Sequence, residues 1–190
     1  SPTGLEPLVK GFAPLSSGAA WSPKGDRIAF SAARKGNTNI FSLPVNNGVP
    51  KPLTQSWSID VSPSWSPDAK EIVFVSGRTG QPDLYIMKAD GEGTRRLTFE
   101  GYYNADPDWS SRGDWIVFVS KVEGNFQLFR IRPDGTQRTQ LTRAPCNHLN
   151  PTWSPNGRLI AFSSDQEGSF DLYLIRMDGT GRRRLSWGPR

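Results

Sequence analysis

One motif returns at constant spacing along this chain, and that period limits the fold more than any other property of the sequence. AWSPKGDRIAF, SWSPDAKEIVF, DWSSRGDWIVF and TWSPNGRLIAF start at residues 20, 64, 108 and 152, so Trp21, Trp65, Trp109 and Trp153 stand 44 residues apart. Seven positions beyond each Trp lies Ile28, Ile72, Ile116 or Ile160, and nine beyond lies Phe30, Phe74, Phe118 or Phe162. Further on come Phe41, Tyr85, Phe129 and Tyr173, then Leu53, Leu97, Leu141 and Leu185 followed by Thr54, Thr98, Thr142 and Ser186.

Each unit predicts four short strands. The first ends at Ser-Pro and a turn, Pro23-Lys24-Gly25 in the first unit and Pro155-Asn156-Gly157 in the fourth; Pro pre-sets φ, and Gly or Asn accepts a positive one. The second is an apolar run, IAFS or IVFV, apolar on both faces as in a sheet packed between two others. The third is NIFSL, DLYIM, QLFRI or DLYLI. A hairpin follows at Asp90-Gly91, Asp134-Gly135 and Asp178-Gly179, Asp-Gly being a strong hairpin signal, with Asn46-Asn47-Gly48 in the first unit. No window carries helical apolar spacing, so no helix is expected. The unit matches a propeller blade, for which about 40–45 residues is typical. The fold class predicted is all-β, a β-propeller of four four-stranded antiparallel blades, as a partial ring, half-ring or small closed ring. Residues 1–190 read as one propeller domain with blades starting near 19, 63, 107 and 151.

Composition fits this reading. The 19 Gly and 16 Pro are turn punctuation, and no apolar run approaches a membrane span of about 18 residues. Residues 1–20 lack the layout of a signal peptide, and Ser1-Pro2-Thr3 lacks an initiator Met, so a leader or an upstream domain is expected to precede them. Cys146 is the lone cysteine and His148 the lone histidine, which excludes an internal disulfide, a cysteine-based zinc site and a multi-histidine metal site.

The string W-S-P-D/N-G-x-x-I-A-F-x-S, then G-x-x-D-L-Y, D-G and L-T, resembles the TolB-like propeller repeat over residues 19–187. Departures are local: Ser111 replaces the turn Pro of the third unit, Ala69 the turn Gly of the second, and Asn-Asn-Gly the Asp-Gly of the first. The resemblance implies a six- or seven-bladed ring, periplasmic or secreted in bacteria, that binds protein or cell-wall partners. Similar repeats also form the accessory, substrate-gating propeller of prolyl-oligopeptidase-type peptidases, whose catalytic domain would lie outside this chain. Leu8-Val9 falls where the outer strand of a preceding blade is expected, within residues 1–12, and Ser186-Trp187-Gly188 resembles the lead into a following blade. Four blades then either close alone, pair with a second chain as a homodimer that completes the ring, or belong to a longer ring.

In a propeller the segment before each inner strand is expected to line the funnel mouth. There is no G-x-S-x-G elbow, so the chain is expected to be non-enzymatic and to bind a protein or peptide. Five residues before each Trp stand Ser16, Asp60, Asn104 and His148; three before stand Gly18, Ser62, Asp106 and Asn150. Alternate residues of an extended strand share a face, which predicts a polar ring of Asp60, Asn104, Asp106, His148 and Asn150 with Tyr103, Tyr102 and Trp57 as aromatic surface. Three other readings stay open: the Asx residues cap turns; Asp60, Asp106, Asn104 and Asn150 offer oxygens to an axial Ca²⁺, the one cofactor considered, no other being expected; or His148 acts as a pH switch. Cys146 reads as a semi-buried small residue. Arg95-Arg96, Arg138, Arg182-Arg183-Arg184 and Arg143 recur at the outer strand, where charge blocks edge pairing. They are spread around a rim rather than gathered on one face, which argues against nucleic acid.

Overall fold

The computed structural model describes residues 17–34, 36–46 and 48–186. Leu8-Val9, Ser16, Asn47 and Trp187-Gly188 lie outside the described residues. Those described form sixteen strands and no helix. Strands β1–β4 are Ser17–Trp21, Arg27–Arg34, Asn37–Pro44 and Lys51–Pro52; β5–β8 are Asp60–Trp65, Glu71–Ser76, Asp83–Lys88 and Arg95–Arg96. Strands β9–β12 are Tyr102–Trp109, Ile116–Val122, Asn125–Ile131 and Thr139–Gln140; β13–β16 are His148–Trp153, Leu159–Ser164, Asp171–Arg176 and Arg183–Arg184. Each set of four pairs in chain order as one antiparallel sheet. The four repeats are therefore four blades.

Local chemistry sets the turns. After each inner strand the carbonyl of Ser22, Ser66, Ser110 or Ser154 accepts the N–H of Gly25, Ala69, Gly113 or Gly157. Ala69 adopts φ +59°, the conformation of its glycine counterparts, so the turn survives an alanine where a Cβ costs roughly 1–2 kcal/mol. Ser111, in place of Pro, donates to the Pro155 carbonyl at 2.7 Å and ties its turn to the next blade. In the Asp-Gly hairpins Asp90, Asp134 and Asp178 accept the N–H two residues on. Gly91 is needed for close approach as well as for φ +96°: a Cβ there would stand 2.5 Å from the Leu53 carbonyl oxygen of the first blade.

Blades stack through their apolar faces. Ile40 and Leu53 of the first blade share a core with Trp65, Ile72 and Phe74 of the second, and equivalent cores join the second to the third and the third to the fourth. Each inner strand packs on the first three strands of the blade before it: β5 on β1–β3, β9 on β5–β7, β13 on β9–β11. Among the described residues no strand of the first blade contacts one of the fourth. The small closed ring is thereby excluded, because the two end blades do not meet. Their faces differ accordingly: Trp21 is 62% exposed against 6–8% for the other three repeat tryptophans, and Leu172 and Leu185 are 43% and 42% exposed where their counterparts are buried.

A polar clasp, repeated in every blade, joins the third strand to the segment after the fourth. Eighteen residues beyond the repeat Trp, Asn39, Asp83, Gln127 or Asp171 accepts a hydrogen bond from the hydroxyl of Thr54, Thr98, Thr142 or Ser186. That hydroxyl in turn accepts the N–H of Ile40, Leu84, Leu128 or Leu172. Where the acceptor is a carboxylate, an arginine covers it: Arg96 reaches Asp83 at 2.8 Å and Arg184 reaches Asp171 at 2.6 Å. Pro52 and Gln140 hold the arginine's position beside Asn39 and Gln127. Arg96 and Arg184 thus turn inward, and Arg138 lies 4.0 Å from the Phe129 ring centroid; Arg95 and Arg183 stay exposed at the edge.

Asp83 also accepts from Thr79 and Asn104. Asp83→Ala strands a half-buried arginine together with three polar groups and is expected to cost about 3 kcal/mol, the low end for a broken buried pair because the guanidinium keeps part of its water. Asn39→Ala, which removes two neutral hydrogen bonds, is expected to cost about 1–3 kcal/mol. Urea midpoints of the two variants check this, and equal losses would refute the division between charged and neutral clasps.

Candidate functional site

The four inner strands surround an axial trough of about 610 Å³. It is lined by the residues three and one before each repeat Trp, from Gly18 and Ala20 in the first blade to Asn150 and Thr152 in the fourth. Asp106 and Asn150 therefore stand together on the axis. Asp60, Asn104 and His148 do not join them, and the reason is a β-bulge. Opposite β6, Val61 pairs with Val75 and Ser64 with Val73, so the inner strand has one residue more than its partner; β1, β9 and β13 repeat the defect. Ser62, Asp106 and Asn150 sit in the bulge at φ +53°, +49° and +51°. Pro63, Pro107 and Pro151 follow them, where no ladder N–H is needed. The extra residue breaks the two-residue alternation, so positions five before the Trp face the blade interior instead of the axis.

Asp60, Asn104 and His148 are fully buried pegs. Asp60 pairs with Arg78 at 3.3 Å. Asn104 donates to Asp83 and to the Glu100 carbonyl. With these two turned away, the four oxygens considered for an axial Ca²⁺ do not converge. Among the described residues no group of three or more His, Cys, Asp or Glu is arranged to hold a metal.

On the axis, Asp108 binds three blades together. It accepts from Ser64 of the second blade at 3.3 Å, and from the Thr152 hydroxyl and the Trp153 N–H of the fourth at 3.0 and 2.7 Å. Burial pushes its carboxyl above the usual range, against the pull of those hydrogen bonds. Burial likewise raises Asp106, opposed by the Asn150 N–H. No basic residue is among the described residues lining the trough. Sequence reasoning missed Asp108; its signal was a hydrophilic residue directly before the Trp in three of four repeats.

Asp106 meets Asn150, and two residues on Asp108 meets Ser64 and Thr152, so equivalent positions face one another at two levels and the inner strands run side by side in one direction. All loops that enter them therefore lie on one rim. That rim carries Trp57, Ile59, Phe99, Tyr102 and Tyr103 as exposed large apolar side chains. Tyr103 holds φ +63°, a rare state for a bulky residue, and packs edge-on against Phe126 with centroids 5.5 Å apart. Arg96 lies over Phe99 at 5.1 Å.

His148 Nε2 stands 3.7 Å from Cys146 Sγ, and its ring meets Phe162 edge-on at 5.3 Å. Burial, then repulsion by Arg182, lowers its pKa from 6.5 to about 4, with Asp165 acting in the opposite sense. The unfolded chain thus takes up a proton near pH 6.5 that the folded chain refuses until about pH 4, so stability falls as pH drops through that window, by about 3 kcal/mol in all. Asp106 and Asp108, raised by burial, act with the opposite sign. The difference between the parent and His148→Gln isolates the histidine: the parent's thermal midpoint is expected to fall relative to the variant's as pH drops through the window. Parallel curves would refute the assignment.

The family model described as the TolB beta propeller domain matches residues 3–188. None of the curated proteins matches the chain. A structure described as TolB from Agrobacterium tumefaciens is 28% identical with a TM-score of 0.82, over 91% of this chain and 64% of that one. TolB from Acinetobacter baumannii is 27% identical with a TM-score of 0.80, over 92% of this chain and 43% of that one. This chain thus spans less than two thirds of either. A puromycin-hydrolyzing peptidase of Mycobacterium tuberculosis, 16% identical with a TM-score of 0.73 over 94% of this chain and 29% of that one, shares the fold. Four bulged inner strands, four clasps and a family match over nearly the whole length agree: the chain belongs to the TolB β-propeller family.

Proposed function

We propose that this chain is a non-enzymatic binding propeller that takes a protein or peptide partner on the rim where the inner strands begin, at the mouth of the axial trough, and that it works in the periplasm or outside the cell. The observation that carries this reading is the aromatic rim. Phe99, Tyr102 and Tyr103 leave large apolar area in water within five residues at the entry to β9, and the edge-on contact with Phe126 holds the Tyr103 ring before any partner arrives. Aromatic anchors of this kind dominate many interfaces, and a preformed surface loses little entropy on binding. Asp106 and Asn150 add a polar group and an acidic charge at the axis beneath it.

Purified chain retains its partner in a pull-down, and substitution of Phe99, Tyr102 and Tyr103 by Ala is expected to weaken binding by a hundredfold or more, against about tenfold for Asp106→Ala with Asn150→Ala. Unchanged affinity in the aromatic variant would overturn the rim as the site. Circular dichroism of each variant verifies the fold.

A second reading concerns the ring. Leu172 and Leu185, exposed on the fourth blade, and Trp21, exposed on the first, mark blade faces that further blade surface suits. The proposed occupant is a second copy of this chain, giving a homodimeric ring of eight blades. Light scattering is expected to give twice the chain mass of 21.1 kDa. Leu172→Lys with Leu185→Lys is expected to return it to a monomer. A parent that is monomeric at every concentration would refute the dimer.

A further inference from the structure

The two chemistries of the clasp leave different space at the outer edge of the blades. In the second and fourth blades, Arg96 and Arg184 lie across that edge on Asp83 and Asp171. The first blade has Asn39 and Pro52 at those positions, and a recess of about 500 Å³ opens there. Asn37, Asn39, Gln55 and Ser56 form its polar wall, and none of its described lining residues is charged, in a chain that is 22% charged. The Asn39 Oδ1 is used by the Thr54 hydroxyl and the Ser56 N–H. The carboxamides of Asn37 and Gln55 make no hydrogen bond to a described residue. A second hollow of about 340 Å³ shares Thr54, Gln55 and Ser56 as its wall and is flanked by Trp57, which is 76% exposed. Arg78 reaches this hollow, but its charge is committed to Asp60 and to the face of Tyr85 at 4.6 Å.

The third blade supplies an internal control. It has a recess of about 590 Å³ at the same place, but Glu123 and Arg143 flank it. Two of its three amides are consumed: Gln127 donates to the Ala144 and Cys146 carbonyls and accepts from Thr142, and Gln140 donates to the Thr142 carbonyl, which leaves Asn125, the counterpart of Asn37. Among the described residues, only the first of these two recesses combines two unbonded carboxamides, absence of charge and an open indole.

That combination selects a ligand class. Among the described residues an anion finds no uncommitted cation there, and a cation finds no free carboxylate. An apolar ligand would desolvate carboxamides and give them nothing in return. Each carboxamide offers two donors and an acceptor, which suits a ligand dense in hydroxyl groups. The negative face of an indole attracts weakly positive C–H groups. A pyranose presents hydroxyls at its edge and C–H groups on its face. We infer that the outer edge of the first blade, through Asn37, Asn39, Gln55, Ser56 and Trp57, is a binding site for a neutral saccharide unit. It shares Trp57 with the rim but none of Phe99, Tyr102 and Tyr103, the residues of the proposed partner site.

The test is saturation-transfer NMR on the purified chain with triacetylchitotriose and maltotriose as probes. At least one is expected to receive saturation and to shift the Trp57 indole resonance, with millimolar affinity. Asn37→Ala with Gln55→Ala, and Trp57→Ala separately, are expected to weaken binding at least tenfold. The decisive variant is Asn39→Asp with Pro52→Arg, which copies the clasp of the second blade and fills the recess with an arginine. It is expected to abolish saccharide binding without lowering the thermal midpoint, which separates loss of the site from loss of the fold. Asp106→Ala with Asn150→Ala is expected to bind saccharide normally whether or not the rim binds a partner. Silence of both probes on the parent, binding that survives the arginine, or an Asn/Gln-rich peptide that shifts Trp57 where the saccharides do not, would each overturn the inference.

Discussion

A blade that is apolar on both faces cannot stand alone in water, and the rest of the molecule is a consequence of that constraint. The middle strands bury Ile72, Val73 and Phe74 of the second blade and Ile116, Val117 and Phe118 of the third on two sides at once. Only another blade supplies a matching surface at both. Stacking by inner strand on preceding blade then brings Ser64, Asp108 and Thr152 to one level, where one carboxylate can collect hydrogen bonds from two neighbouring blades. The axial chemistry is thus set by how the apolar faces are covered. The same rule explains the ends: where a neighbour is missing, Trp21, Leu172 and Leu185 are left in water.

Much of this is legible in the chain. The 44-residue period marks the blades, the Ser-Pro and Asp-Gly pairs mark the turns, and the apolar runs mark the buried strands. The axis is not legible from strand alternation alone, because that alternation does not run unbroken from five residues before the Trp to one before it. Pro63, Pro107 and Pro151 are the warning, since proline inside a paired strand marks a bulge or an edge. Once the bulge is admitted, Asp106 and Asn150 stay on the axis while Asp60, Asn104 and His148 become internal pegs. No residue-by-residue pattern reveals the partner of a peg, because Arg78 reaches Asp60 from a loop eighteen residues away. The clasp escapes notice for a similar reason: Asp83 and Thr98 are fifteen residues apart and meet only when strands three and four pair.

The clasp also shows how one repeat can solve the same problem twice. A backbone N–H on the third strand needs an acceptor, a hydroxyl supplies it, and the hydroxyl needs an acceptor of its own. A carboxylate is the stronger acceptor, but burying it carries a desolvation cost that only a paired cation offsets. Asp83 and Asp171 therefore come with Arg96 and Arg184, whereas Asn39 and Gln127, being neutral, need no such partner. Charge at one position thus dictates the side chain thirteen residues later, and the two vary together across the four repeats.

This coupling has a spatial consequence that neither residue has alone. An arginine recruited to neutralise a carboxylate must lie across the blade edge, so a charged clasp closes the edge as it forms. A neutral clasp frees that position from electrostatic duty, and in the first blade a proline occupies it, too short and too rigid to cover the recess beside it. The amides then settle whether an uncovered edge can receive a ligand. In the third blade Gln127 is one methylene longer than Asn39 and reaches the Ala144 and Cys146 carbonyls, turning its hydrogen-bonding capacity inward. Asn39 cannot extend so far, and the capacity of Asn37 and Gln55 beside it stays outward. The charge of the clasp residue therefore decides whether an arginine closes the edge, and the flanking residue, Gln55 in the first blade and Arg143 in the third, decides what an open edge can receive.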